Sequence, residues 1–112
     1  MKKTFFASRE IKKEEYNTEY DFSLHYHLLT TRIRDLNKDK YTQCYGIEVT
    51  KTYMDCFGNE ITQKSTADNI TTDKKEIFSL LKIVYEQKIT PVCLCEVIDD
   101  ITEDNDIKFM EA

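Results

Sequence analysis

A chain of 112 residues, 40% apolar and 33% charged, is long enough for one compact core and too short for a second catalytic domain. Its 16 basic and 21 acidic residues leave a net charge of −5, which disfavours non-specific attraction to a phosphate backbone, so no direct nucleic-acid partner is expected. With Gly46 and Gly58 as the two glycines there is no glycine-rich phosphate loop, and neither a G-x-S-x-G elbow nor an H-E-x-x-H helix is present.

Residues 1 to 19 combine "TFFAS" with the charged run "REIKKEEYNTEY" and fit a short strand or a peripheral helix. The basic start is followed by too short an apolar stretch for a secretory signal, and no apolar run reaches the length of a membrane span. A cytoplasmic protein without membrane contact, its four cysteines reduced, is the expectation.

From Asp21 the pattern has period two. Phe22, Leu24, Tyr26 and Leu28 point one way, and Ser23, His25, His27 and Leu29 the other, which predicts a strand with one apolar face. "DLNKDK" at 35 to 40 reads as a polar turn, and "QCYGIEVTKTYM" as a second strand with Tyr45, Ile47, Val49 and Tyr53 on one side. Gly58-Asn59 supplies the next turn, and "EITQKST" continues as a short, polar edge strand.

The period then lengthens. In "TTDKKEIFSLLKIVYEQK", Ile77, Leu80, Leu81 and Val84 form one helical stripe, and Asp73-x-x-Glu76 has the spacing of a capping box. A second helix is expected from Thr90 as N-cap and Pro91 as first residue, with Leu94, Val97, Ile98 and Ile101 inward and Glu96, Asp99 and Asp100 outward. Residues 103–112 read as a frayed acidic tail; from residue 96 onward seven acids face the single base Lys108.

These elements predict an α+β domain over residues 20–102: a three-stranded antiparallel meander, four-stranded if the N-terminal segment joins it, with two C-terminal helices packed on one face. Phe22, Leu24, Tyr26, Leu28, Tyr45, Ile47 and Val49 would meet Ile77, Leu80, Leu81, Val84, Leu94 and Ile98 in the core. The other face, carrying His25, His27, Leu29, Thr31, Glu48, Thr50 and Thr52, would remain open as a contact surface.

Cys93-x-Cys95 falls about 200° apart around a helix and cannot readily chelate one ion; the cysteines read as small core residues. His25 and His27 do share a strand face and are the candidate metal ligands if there are any, with Glu48 of the neighbouring strand or a cysteine as the third donor. No cofactor and no catalytic residue is expected.

The order of "CYGIEV" on a strand, an amphipathic helix and then "ITPVCLCEVIDDI" resembles a group of small clostridial (Firmicutes) proteins of unknown function. The resemblance runs over roughly residues 20–102 and rests on Tyr45, Gly46 and Ile47, then Thr90, Pro91, Leu94, Val97, Ile98, Asp99 and Asp100. It implies a bacterial α+β protein and brings no catalytic residues with it.

The functional expectation is a non-enzymatic interaction or regulatory protein whose open face takes a protein partner or a second copy of the chain. One alternative is an acidic inhibitor that mimics nucleic acid, with Glu96, Asp99, Asp100, Glu103, Asp104 and Asp106 standing in for phosphates. The other is a metal-binding protein using His25 and His27.

Overall fold

The structure, a computed structural model, describes residues 2–16, 18–35 and 40–101. Four antiparallel strands lie in the order β1-β2-β3-β4: β1 (Lys2–Ile11), β2 (Phe22–Asp35), β3 (Lys40–Met54) and β4 (Glu60–Thr71). A helical turn, α1 (Lys13–Tyr16), joins β1 to β2. Helix α2 (Lys74–Glu86) follows β4, and a 3-10 turn at Pro91–Cys93 leads into α3 (94–101).

The sheet has four strands rather than three, the alternative in which the N-terminal segment joins the meander: β1 pairs with β2 from Lys2 to Ile11. A bulge hides its alternation: the register with β2 shifts between Phe5 and Ala7. Phe6 then packs on Phe78 of α2 while Phe5 lies against His27 on the opposite face.

β4 also runs farther than "EITQKST" suggests, continuing to Thr71. Its register against β3 shifts between Tyr45 and Ile47, opposite residues 68–70, and Asn69 there adopts the left-handed conformation (φ 52°). The turn expected over 35–40 falls largely on 36–39, outside the described residues, as does the tail at 103–112.

The β3–β4 turn is fixed locally. Asp55 accepts from the backbone N–H groups of Phe57 (2.9 Å) and Asn59 (2.8 Å), and Gly58 takes the positive φ of 81° that the reversal needs. Helix α2 starts where expected: Asp73 accepts from Lys75 N–H at 2.9 Å and Glu76 N–H at 3.4 Å. The return arm of the capping box is relayed, since Asp73 N–H donates to Thr71 Oγ1, which donates on to Glu76 Oε2.

The apolar faces meet as their periods predict. Leu24, Tyr26, Leu28, Tyr45, Ile47 and Val49 from the sheet pack with Ile77, Leu80, Leu81 and Val84 of α2 and Leu94 and Ile98 of α3, and Ile11 from β1 completes the cluster. Tyr26 donates its hydroxyl hydrogen to the Ile89 carbonyl at 3.1 Å, anchoring the α2–α3 connection, and burial raises its pKa well above the ordinary phenol value. Arg9 of β1 donates to the Tyr85 carbonyl at 3.1 Å with its guanidinium 4.8 Å from the Tyr85 ring centre. It thus supplies from another strand the cation that α2 lacks in its own last turn.

The cysteines depart from the expectation of four core thiols. Cys44 is buried, whereas Cys56, Cys93 and Cys95 are exposed and free. Cys93 and Cys95 flank Leu94, which takes the inward position, so the helical period turns both thiols outward.

Candidate functional site

Both helices pack against the core face of the sheet, and its opposite face carries the side chains of interest in cross-strand rows. Phe5, His27, Glu48 and Thr66 stand opposite one another across all four strands. The adjacent row is Ser8, His25, Thr50 and Lys64.

Glu48 is the centre of this surface. It is 5% exposed, which a lone carboxylate would not tolerate, and cations converge on it from both outer strands. Lys3 Nζ from β1 lies 2.8 Å from Oε2, and Lys64 Nζ from β4 lies 3.8 Å from Oε1. Thr66 donates its hydroxyl hydrogen to Oε1 at 3.4 Å.

Burial pushes the Glu48 carboxyl up, but Lys3, Lys64 and His27 outweigh it and hold the group below the ordinary carboxylate value. His27 moves down, first through burial and then through the charge of Lys3, with Glu48 opposing. Its Nδ1 is buried without a hydrogen-bond partner, and its ring meets Phe5 edge-on with centres 5.6 Å apart. At neutral pH the surface therefore holds a fixed carboxylate, two ammonium groups and a neutral imidazole, with Phe5 57% exposed beside them.

The residues expected to form an open contact face fare differently. His25, His27, Thr50 and Thr52 are half-buried, but Leu29 is 2% exposed and buried like Glu48, so neither offers much surface to a partner. Gly46 is the cross-strand neighbour of Leu29, and with no side chain on it the backbone of β4 at Ala67 and Asp68 comes close over this position. The exposed side chains of this surface include Lys3, Phe5, Ser8, Lys64 and Thr66.

His25 and His27 share the face, as their spacing implies. Among the described residues, however, no group of three His, Cys, Asp or Glu is disposed to hold a metal ion. Glu48, the expected third donor, is engaged by two lysines. Of the acidic set, Glu96, Asp99 and Asp100 are exposed on α3, while Glu103, Asp104 and Asp106 lie outside the described residues.

A second cluster escaped the sequence reading. Lys51 occupies a core-face position of β3 beyond the helices, where its ammonium sits 5.0 Å from the Tyr20 ring centre, 4.5 Å from Phe22 and 5.4 Å from Tyr53. It also donates to the Tyr20 hydroxyl at 3.1 Å, and Tyr20 stacks on Tyr53 at 4.3 Å. A lysine in the otherwise apolar series Tyr45, Ile47, Val49, Tyr53 was the available signal. A cleft of about 460 Å³ opens beside it, where Lys12 pairs with Glu10 at 3.5 Å and the backbone N–H of Lys13 donates to Asp21 Oδ1 at 2.8 Å.

A family model described as a family of unknown function (DUF6514) matches residues 2–104, and the chain belongs to that family. No curated protein and no solved structure matches the chain. The family match takes in β1, which the resemblance drawn from residues 20–102 left out. No helix among the described residues is long and apolar enough to cross a membrane.

Proposed function

Taking membership of this family of unknown function as the premise, we propose that the chain is a non-enzymatic cytosolic interaction module that docks a protein partner on the helix-free face of its sheet. The observation that carries this reading is the Lys3–Glu48–Lys64 group beside exposed Phe5. A buried carboxylate pinned between two strands' lysines fixes charges in place before any partner arrives, and an adjacent exposed aromatic ring supplies the kind of anchor that interfaces favour. Complementary to this surface would be a partner segment with an apolar side chain for Phe5 and a carboxylate for the solvent-facing side of Lys3 or Lys64.

Capture from the native cell extract tests it, using the whole chain and the double variant Phe5→Ser, Lys64→Gln. Both positions are exposed and neither touches the helix-packed core, so the variant should fold. Retention of one stoichiometric protein by the wild type and its loss with the variant is the expected result; equal retention removes the face from consideration.

A second reading has its own observation, the exposed acids Glu96, Asp99 and Asp100 on α3, which would present a charged ridge to a nucleic-acid-binding protein. It predicts capture that is lost with the triple change of those acids to lysine and at raised salt, independent of Phe5 and Lys64.

A further inference from the structure

The β2–β3 hairpin is longer than the sheet around it. β1 pairs no farther along β2 than Thr30, and β4 no farther along β3 than Tyr45. Residues 31–35 and 40–44 therefore project as a two-stranded arm, its strands joined by the pairs from Thr31 with Cys44 to Asp35 with Lys40. Among the described residues neither outer edge of this arm has a strand beside it. A two-stranded ribbon is marginally stable in water, and an unpaired edge is a template for another strand.

The two edges differ in what they present. Successive residues of a strand turn their backbone N–H and C=O to opposite sides. Asp55 N–H donates to the Asn59 carbonyl at 2.9 Å, on the β4 side, and β3 keeps one unbroken register with β2 from Lys40 to Tyr53. The odd-numbered residues of β3 thus face β4, and past the end of β4 Tyr41 and Gln43 face an edge with no strand beside it among the described residues. By the same ladder Arg32 and Arg34 turn their backbone groups to the outer edge of β2.

Self-pairing about a two-fold axis gives opposite results on the two sides. On the β2 edge, an axis through 32, 33 or 34 sets arginine opposite arginine, which is destabilising. On the β3 edge, an axis through Thr42 sets Tyr41 opposite Gln43, Thr42 opposite Thr42 and Lys40 opposite Cys44, with no like charges facing each other. Lys40, Tyr41, Thr42 and Gln43 are exposed, and Cys44 at the base of the arm is buried.

We infer that two copies of the chain associate through this arm, the 40–44 edges of β3 pairing antiparallel around Thr42. The contact is isologous and closes as a dimer. It joins the two sheets edge to edge and uses the backbone of the arm, not the side chains around Glu48, so the dimer and the helix-free face are tested separately.

The experiment is sedimentation of the full chain over a micromolar concentration series, with three variants. Gln43→Pro deletes an N–H that points out of the arm and leaves the bonds to β2 in place. Thr62→Pro does the same on the outer edge of β4, away from the arm, and Thr42→Arg places like charges across the proposed axis with the ladder intact. The expected result is a wild-type dimer that Thr62→Pro keeps and that both arm variants weaken by about tenfold or more in dissociation constant. A wild-type chain that is monomeric throughout, or a dimer that survives Thr42→Arg and is lost with Thr62→Pro, overturns the inference. Circular dichroism of each variant separates loss of pairing from loss of fold.

Discussion

Gly46 and Ala67 sit so close that the first side-chain carbon of any other residue at 46 would overlap the Ala67 carbonyl oxygen and come within 3.1 Å of the Asp68 Cα. The obstacle is backbone on the neighbouring strand, which cannot swing aside as a long side chain could. Gly46→Ala should therefore cost about 3 kcal/mol in chemical denaturation, or push β4 off its register beyond Ala67. A substitution costing less than about 0.5 kcal/mol would mean that β4 does not lean over this position.

The charge group on the helix-free face makes an asymmetric prediction. Glu48→Gln frees Lys3 and Lys64, both roughly half-exposed and able to rehydrate, and should cost about 1 kcal/mol. Lys3→Met leaves a buried carboxylate with the more distant Lys64 alone and should cost more, about 2 kcal/mol. Paired denaturation curves check the order; equal costs would show that Glu48 has access to water after all.

Acidification should weaken the fold in two steps. His27 is held below its ordinary value of 6.5, so the unfolded chain takes up its proton first and stability is lost as pH falls below about that value. Glu48 is also held below its ordinary value of 4.5, so its contribution is complete above that pH and disappears as pH falls through the folded-state value. Urea midpoints measured against pH should decline in both windows. His27→Gln should flatten the upper decline and leave the lower one.

At the C-terminal end of α2, Arg9→Ala should cost about 1–2 kcal/mol, because the bond to the Tyr85 carbonyl is charge-assisted and supports the helix dipole. Arg9→Lys should recover only part of this, since an ammonium cannot both donate there and lie flat over the Tyr85 ring. Asp73→Ala at the other end should cost about 1 kcal/mol through the lost cap. Additivity of the two losses would fit their placement at opposite ends of the helix.

How legible the fold was depends on where each residue's partner lies. The faces of β2 and β3, the stripe and N-cap of α2 and the inward side of α3 follow from periodicity, because a strand or helix sorts its own side chains. β1 does not, because the bulge beside Phe6 breaks its alternation just where Phe5 and Phe6 stand together. The polar residues of β4 carry no period that could mark its end at Thr71.

The candidate site was half visible for the same reason. His25, His27 and Glu48 could be placed on one face from their own strands, but Lys3 and Lys64 join Glu48 only through the registers of β1 and β4. Leu29 was expected to be exposed because no helix was predicted above it; it is 2% exposed, and no local signal in its own strand marks that burial. The three exposed cysteines show the limit of composition, since the residue type favours burial while position along α3 and in the β3–β4 turn decides otherwise.

The most direct test of the proposed docking face is hydroxyl-radical footprinting of the chain alone and in complex with the protein it captures. The account predicts that Phe5 and His25 lose reactivity in the complex, while Phe57 at the β3–β4 turn and Val92 at the start of the last helix, 85% and 84% exposed, react as before. Protection of Val92 with Phe5 unchanged would place the partner on the helical side and contradict it.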